Sequence, residues 1–236
     1  MQKAVVQVIL ESEFAQFTRP ESKVERTTYD VPTPSAIRGA LNAIYCKPIE
    51  FYYEIVKIEL LNPITKIDIR KNELTVKANN SKIVSDANYV IDSSNLNNRT
   101  QRNNEYLRNV KYKVTANLVM KDGLESRVTL DSLVKQFNRR VSRGKCFYQP
   151  YLGTRECMCN FYPVDGTEQP KDINLDLGYM LYDVFDITST VKLDTNKKTD
   201  NTKDVVQTSI FYAKVEHGVM TIPEWGSGEI FTSRRF

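Results

Sequence analysis

A single capped helix set between β-patterned runs constrains this chain more than any other feature. In TPSAIRGALNAIYCKP (33–48), Thr33 can cap a helix, Pro34 suits its first position and Pro48 closes the segment. Ala36, Ile37, Ala40, Leu41, Ile44 and Tyr45 recur at i, i+3 and i+4, which makes one apolar face. The spacing predicts a helix over 34–46. Before it, KAVVQVIL (3–10) is β-branched and apolar, a buried first strand. Residues 11–31 carry alternating charge and end in prolines, a long ordered loop. After the helix, 51–61 and 64–76 alternate and read as two strands joined by a turn at Asn62-Pro63. Residues 77–105 are polar and rich in Asn and Ser, an inserted loop. Residues 106–120 alternate again and end at Asp122-Gly123.

A second helix is predicted over 127–142. Leu130, Leu133, Val134, Phe137 and Val141 fall at helical spacing, Gly144 is the stop, and Arg139, Arg140, Arg143 and Lys145 surround the end. Strands are expected at 146–152, 157–162, 173–186, 205–215 and 218–222, with a solvated tip at 193–204. The order β, α, β, β, loop, β, α, then strands, predicts an α+β fold. Its form is a split βαβ, ferredoxin-like and RRM-like sheet over 1–165, with loop 77–105 inserted and a β-rich C-terminal extension over 166–236.

Composition excludes several classes. The 236 residues suffice for a proper core, and Lys+Arg 33 against Asp+Glu 29 leaves a net charge of +4, which permits a nucleic-acid partner without demanding one. No apolar run reaches the roughly 18–20 residues of a membrane span, and MQKAVVQVILESEF is no signal peptide. Four cysteines in a chain of this length point to reduced thiols and a cytoplasmic protein. His217 is the sole histidine, so no HExxH zinc site and no two-histidine mechanism is available. Neither GxxxxGK[ST] nor GxGxxG occurs.

The candidate chemistry has a plain alternative at each point. Cys157 and Cys159 share one face of a strand and read as buried thiols, and no metal or cofactor is expected. His217 precedes Gly218 and reads as a turn residue. Two basic-aromatic stretches are more informative. FTRPESKVERTTYDVPTPSAIRG carries Arg19, Lys23, Arg26 and Arg38 among Phe17 and Tyr29. FNRRVSRGKCFYQPYLGTRE carries Arg139, Arg140, Arg143, Lys145 and Arg155 among Phe147, Tyr148 and Tyr151. Cations supply phosphate contacts and rings stack on unpaired bases; the alternative is a solvated helix end. Asn98 to Arg102 (NRTQR) adds Arg99 and Arg102 as donors. Tyr45, near the end of the first helix, either packs or places a phenol beside a phosphate to orient or deprotonate a hydroxyl.

FTRPESKVERTTYDVPTPSAIRGALNAIYCKP, IRKNE, NRTQRN and RRVSRGKCFYQPYLGTRE, in this order over about 5–160, strongly resemble the fifth CRISPR-associated protein family, in its type I-C (d, or Dvulg) subtype. The resemblance implies a RAMP-type protein with a β extension. It implies an endoribonuclease that cuts precursor crRNA at the base of the repeat hairpin without metal, keeps the 5′ handle and caps Cascade. Its implied partners are CRISPR repeat RNA or crRNA, the backbone and large subunits of Cascade, and target DNA near the PAM, with no membrane. The family's catalytic tyrosine matches Tyr45. Its Lys-His pair, counted back from GKCF, falls on Ser132 and Leu133, which cannot do that work; Lys135, three residues on, can supply a cation. RNA would be held by Arg19, Lys23, Arg26, Arg38, Arg99, Arg102, Arg139, Arg140, Arg143, Lys145, Tyr148 and Arg155. The departure at Ser132 and Leu133 favours a second expectation, a non-catalytic subunit that holds the handle.

Overall fold

The computed structural model describes residues 2–22, 24–122, 128–188 and 206–234. Lys23 and the expected tip at 193–204 lie outside them.

The expected split βαβ sheet is present. Strand β1 (Lys3–Ala15) leads to helix α1 (Pro34–Ile44), then β2 (Phe51–Leu60), β3 (Lys66–Leu74), the short helix α2 (Asn80–Ser85), β4 (Arg99–Met120), helix α3 (Leu130–Ser142) and β5 (Asn160–Tyr162). The strand order is β5-β1-β4-β2, all antiparallel neighbours. β4 is the spine: it pairs with β1 from Lys3↔Val119 to Ala15↔Leu107, and with β2 from Phe51↔Met120 to Leu60↔Tyr112. The α1 cap forms as the sequence predicts, with the Ala36 N–H donating to the Thr33 hydroxyl at 3.2 Å.

Four expectations need correction. β1 runs on to Ala15 rather than giving way to loop at 11, because β4 is long enough to pair with all of it. Residues 99–105 are strand, not loop. They form a two-stranded ribbon with β3, from Lys66↔Leu107 to Leu74↔Arg99. Both ribbon strands are largely exposed, and no apolar alternation marks 99–105. β2 and β3 do not pair with each other: both run antiparallel to β4, one after the other, and Asn62-Pro63 only breaks the line between them. Residues 146–152 form a loop held by the isolated bridge Tyr151↔Met158, and the expected strand 157–162 is reduced to β5.

The C-terminal part builds a three-stranded sheet from β6 (Leu175–Phe185), β7 (Val206–Val215) and β9 (Ile230–Arg234), in the order β6-β7-β9. Between β7 and β9, β8 (Val219–Thr221) joins the large sheet beside β2. β8 of the C-terminal part thus belongs to the large sheet, and the core runs through both sheets. One buried cluster holds Val8 and Leu10 of β1, Ile37 and Leu41 of α1, Phe137 of α3, and Tyr182 and Phe211 of the extension. No helix among the described residues is long and apolar enough to cross a membrane.

The PYLGTRE segment now has a structural reason. Gly153 takes φ +87°, and a β-carbon there would sit 1.8 Å from the Gln16 carbonyl oxygen, so only glycine lets this loop close on the end of β1. The Gln16 N–H donates to the Leu152 carbonyl at 3.1 Å. Glu156 accepts from Lys71 of the ribbon and from the Tyr106 hydroxyl.

Candidate functional site

The end of α1 is where the two helices meet. A helix leaves its last carbonyls without internal donors. Here three are satisfied from elsewhere. The Phe147 N–H donates to the Ala43 carbonyl at 2.8 Å, Arg140 Nη1 to that of Ile44 at 3.1 Å, and the Tyr53 hydroxyl to that of Tyr45 at 2.8 Å. These bonds fix Tyr45, the residue that caps α1, against α3 and the loop after it. Its ring lies 5.1 Å from that of Phe51. The Arg140 guanidinium lies 4.1 Å from the Phe147 ring centre and 5.5 Å from that of Tyr45.

Around this arrangement runs an open groove of about 680 Å³, lined by Tyr45, Lys47, Thr129, Ser132, Gln136, Arg140 and Phe147 among others. The volume suits a small-ligand cleft. Tyr45 is 2% exposed, and its hydroxyl makes no hydrogen bond to any described residue. Burial raises the phenol above its ordinary range; Lys47 and Arg140 pull back against that rise and Glu50 adds to it. A protonated phenol has a proton to donate to a ligand in the groove.

Lys47 escaped the sequence reading. It lies two residues beyond Tyr45, where only Pro48 drew attention as the helix stop. Its ammonium donates to both carboxylate oxygens of Glu50, at 2.9 and 3.0 Å, and this bond holds its pKa above the ordinary lysine value. Ser132 and Leu133, the positions matched to the Lys-His pair, do line the groove. Lys135 does not. Its ammonium pairs with Asp131 one turn back at 2.6 Å, and three-quarters of the side chain is in solvent. The geometry does not bring Lys135 together with Tyr45.

A second recess of about 640 Å³ adjoins the first and shares Gln136, Arg140 and Phe147 with it. Arg139, Arg143, Gly144, Lys145 and Cys146 complete its wall. The sequence RRVSRGK accounts for its shape. Gly144 takes φ +60°, the Lys145 N–H donates to the Arg140 carbonyl at 2.9 Å, and the Gly144 N–H to that of Val141 at 3.2 Å. This is a Schellman close, which spends backbone donors on the last carbonyls and leaves the side chains to project. Arg139 bonds Gln136 at 2.5 Å. Among the described residues, none of Arg139, Arg140, Arg143 and Lys145 forms an ion pair.

The other expected RNA-binding residues lie elsewhere. Arg38 is engaged: its Nε and Nη2 donate to Asp183 Oδ2 at 2.8 and 2.5 Å, tying α1 to β6. Asp183 is buried, so this guanidinium compensates a carboxylate rather than offering itself to a phosphate. Arg26 and Arg102 both pair with Glu73 of the ribbon, at 3.3 and 3.6 Å. Arg19 lies 4.7 Å over the Tyr29 ring and pairs with Glu21 at 3.5 Å. Arg99 donates to the Ser94 carbonyl at 3.1 Å. Tyr148 is 55% exposed and Arg155 is exposed on the PYLGTRE loop.

His217 takes φ +49° in the β7–β8 turn and bonds Asp172 at 2.8 Å, away from both recesses. Cys157 and Cys159 are buried, and burial pushes the Cys159 thiol up to about 12. A thiol so placed is inert.

The sheet order β5-β1-β4-β2, followed by a β extension, is the expected ferredoxin-like architecture. A crystal structure of a CRISPR-associated protein has the same fold, with a TM-score of 0.65 at 20% identity over 98% of both chains. A functionally uncharacterized protein from Streptococcus mutans gives 0.64 at 18% identity, covering 98% of this chain and 99% of the other. The sequence is closer to two curated proteins, each named CRISPR pre-crRNA endoribonuclease Cas5d. The one from Thermus thermophilus is 35% identical over 214 residues, 89% of this chain and 88% of the relative. The one from Mannheimia succiniciproducens is 34% identical over 235 residues, 92% of this chain and 94% of the relative. The Cas5d family model, described as CRISPR-associated protein (Cas_Cas5), matches residues 5–223. The chain belongs to the Cas5d family of CRISPR-associated proteins.

Proposed function

We propose that this chain is a pre-crRNA endoribonuclease that cuts at the base of the repeat hairpin without metal and retains the 5′ handle as a subunit of Cascade. Its two relatives are named for the first activity. The observation that carries the reading is the continuity of two recesses. The groove of Tyr45 opens onto the unpaired cations of the α3 end through the shared residues Gln136, Arg140 and Phe147. A hairpin backbone bound on Arg139, Arg143 and Lys145 would set the adjacent phosphate beside Tyr45.

The chemistry suited to such a groove is transesterification. The ribose 2′-oxygen attacks the neighbouring phosphorus and the P–O5′ bond breaks. The products are a 2′,3′-cyclic phosphate and a 5′-hydroxyl. The 2′-hydroxyl proton passes to water. The leaving 5′-oxygen takes a proton from the Tyr45 phenol, which regains one from solvent. Alignment of attacking oxygen, phosphorus and leaving oxygen accounts for several kcal/mol of such a barrier.

The test is cleavage of the repeat hairpin in excess EDTA. The native chain should make a single cut at the hairpin base. Tyr45→Phe should lower the rate by about 100-fold, with RNA affinity within a few-fold. Tight binding by the native chain without a cut would make it a handle-holding subunit, the reading that Ser132 and Leu133 favour.

A further inference from the structure

We propose that Lys47, anchored by Glu50, is a catalytic residue of this groove, its ammonium donating to a non-bridging oxygen of the scissile phosphate. The inference rests on the endoribonuclease reading and deepens it.

When the 2′-oxygen attacks, negative charge gathers on the non-bridging oxygens, and a cation fixed beside them favours that state over the ground state. Four cations are near enough to consider. Lys135 is turned out to Asp131. Arg139 lines the neighbouring recess but not the groove of Tyr45. Arg140 lines the groove but is committed. Its Nη1 serves the Ile44 carbonyl, its guanidinium faces the Phe147 and Tyr45 rings, and its Nε is buried without a partner. Arg140 is therefore a positioning residue, holding Tyr45 at the end of α1. Lys47 is what remains.

The placement of Lys47 suits the role. It follows Tyr45 by two residues, lines the same groove, and its side chain is 45% exposed. Glu50 restrains the ammonium from one side through two of its protons, which leaves a third for a ligand. The wall at Ser132 and Leu133 offers a hydroxyl and a buried leucine and no charge. Charge that this wall lacks is supplied by the α1 side of the same groove.

Single-turnover cleavage of the repeat hairpin in EDTA tests this. Lys47→Gln should slow cleavage about 100-fold while RNA affinity stays within about threefold, since one donor to a developing oxyanion is worth that much. Lys47→Arg should recover most of the rate. Ser132→Lys placed in the Lys47→Gln chain should recover part of it, because position 132 lines the same groove. A structural role would not produce that rescue. A further readout is sulfur in place of one non-bridging oxygen. The native chain and Lys47→Arg should discriminate between the two diastereomers, and Lys47→Gln should not. If Lys47→Gln cuts at the native rate while Tyr45→Phe is slow, the inference is wrong and the endoribonuclease reading stands. If the native chain binds without cutting, that reading falls and takes the inference with it.

Discussion

The arginines of the β1–α1 loop, of α1 and of the ribbon are paired with carboxylates; those at the end of α3 are not. Arg26 and Arg102 share Glu73, Arg19 has Glu21, and Arg38 neutralises the buried Asp183. Arg139, Arg140, Arg143 and Lys145 have no carboxylate partner among the described residues. In the sequence the two clusters look alike, each a run of cations among aromatic rings. They differ in what the fold brings to meet them. A cation already paired adds little to the field that draws in a polyanion, while an unpaired one releases a counterion when a phosphate binds. Four arginines are thus paired with carboxylates inside the fold, while three arginines and a lysine at the end of α3 are not.

Three variants would sharpen or break this contrast. The largest effect belongs to Arg38→Ala. It strands Asp183, which is buried, and breaking such a pair costs about 3–5 kcal/mol. Denaturant unfolding should show that loss, with the salt dependence of RNA binding unchanged; a chain of native stability that binds RNA poorly would move Arg38 into the binding cluster. Next is Arg139→Ala combined with Arg143→Ala. Affinity should fall about tenfold or more at moderate salt and the salt slope should drop by about two, with little change in melting temperature. A native slope would return these residues to the role of helix cap. The smallest effect is expected of Arg26→Ala with Arg102→Ala. Both pairs are partly exposed, so stability should change by less than about 1 kcal/mol, and the slope by less than one. A drop in slope equal to that of the α3 pair would erase the distinction.

Lys47 and Lys135 repeat the contrast on a smaller scale. Both are lysines bonded to a carboxylate three or four residues away, at 2.9 Å to Glu50 and 2.6 Å to Asp131. The first lies at the end of α1, where α3 and its loop close over it to make a groove. The second is on the outer face of α3, in solvent. Distance along the chain from the arginine cluster pointed to Lys135, but direction around the helix decides which side chain reaches the site.

Much of the architecture was legible from the chain. Thr33, Pro34 and the apolar face of Ile37, Leu41 and Ile44 specify α1 through local geometry and period alone. Leu133, Phe137 and Val141, with Gly144 as the stop, specify α3 in the same way. The order of these helices among the strands restricts the sheet to few topologies. The motifs were specific enough to place the chain in its family. The β4 half of the ribbon was not legible. Residues 99–105 carry no apolar alternation, because both faces of that ribbon are largely exposed, and only pairing across the loop between them makes them strand. Nor could the sequence tell an arginine paired with a carboxylate from one without. Asp183 lies 145 residues beyond Arg38, and Glu73 lies 47 beyond Arg26. Local chemistry determines which segments form and which side chains are available. Only the tertiary structure brings distant charges together, and so decides which of them are left to meet a ligand.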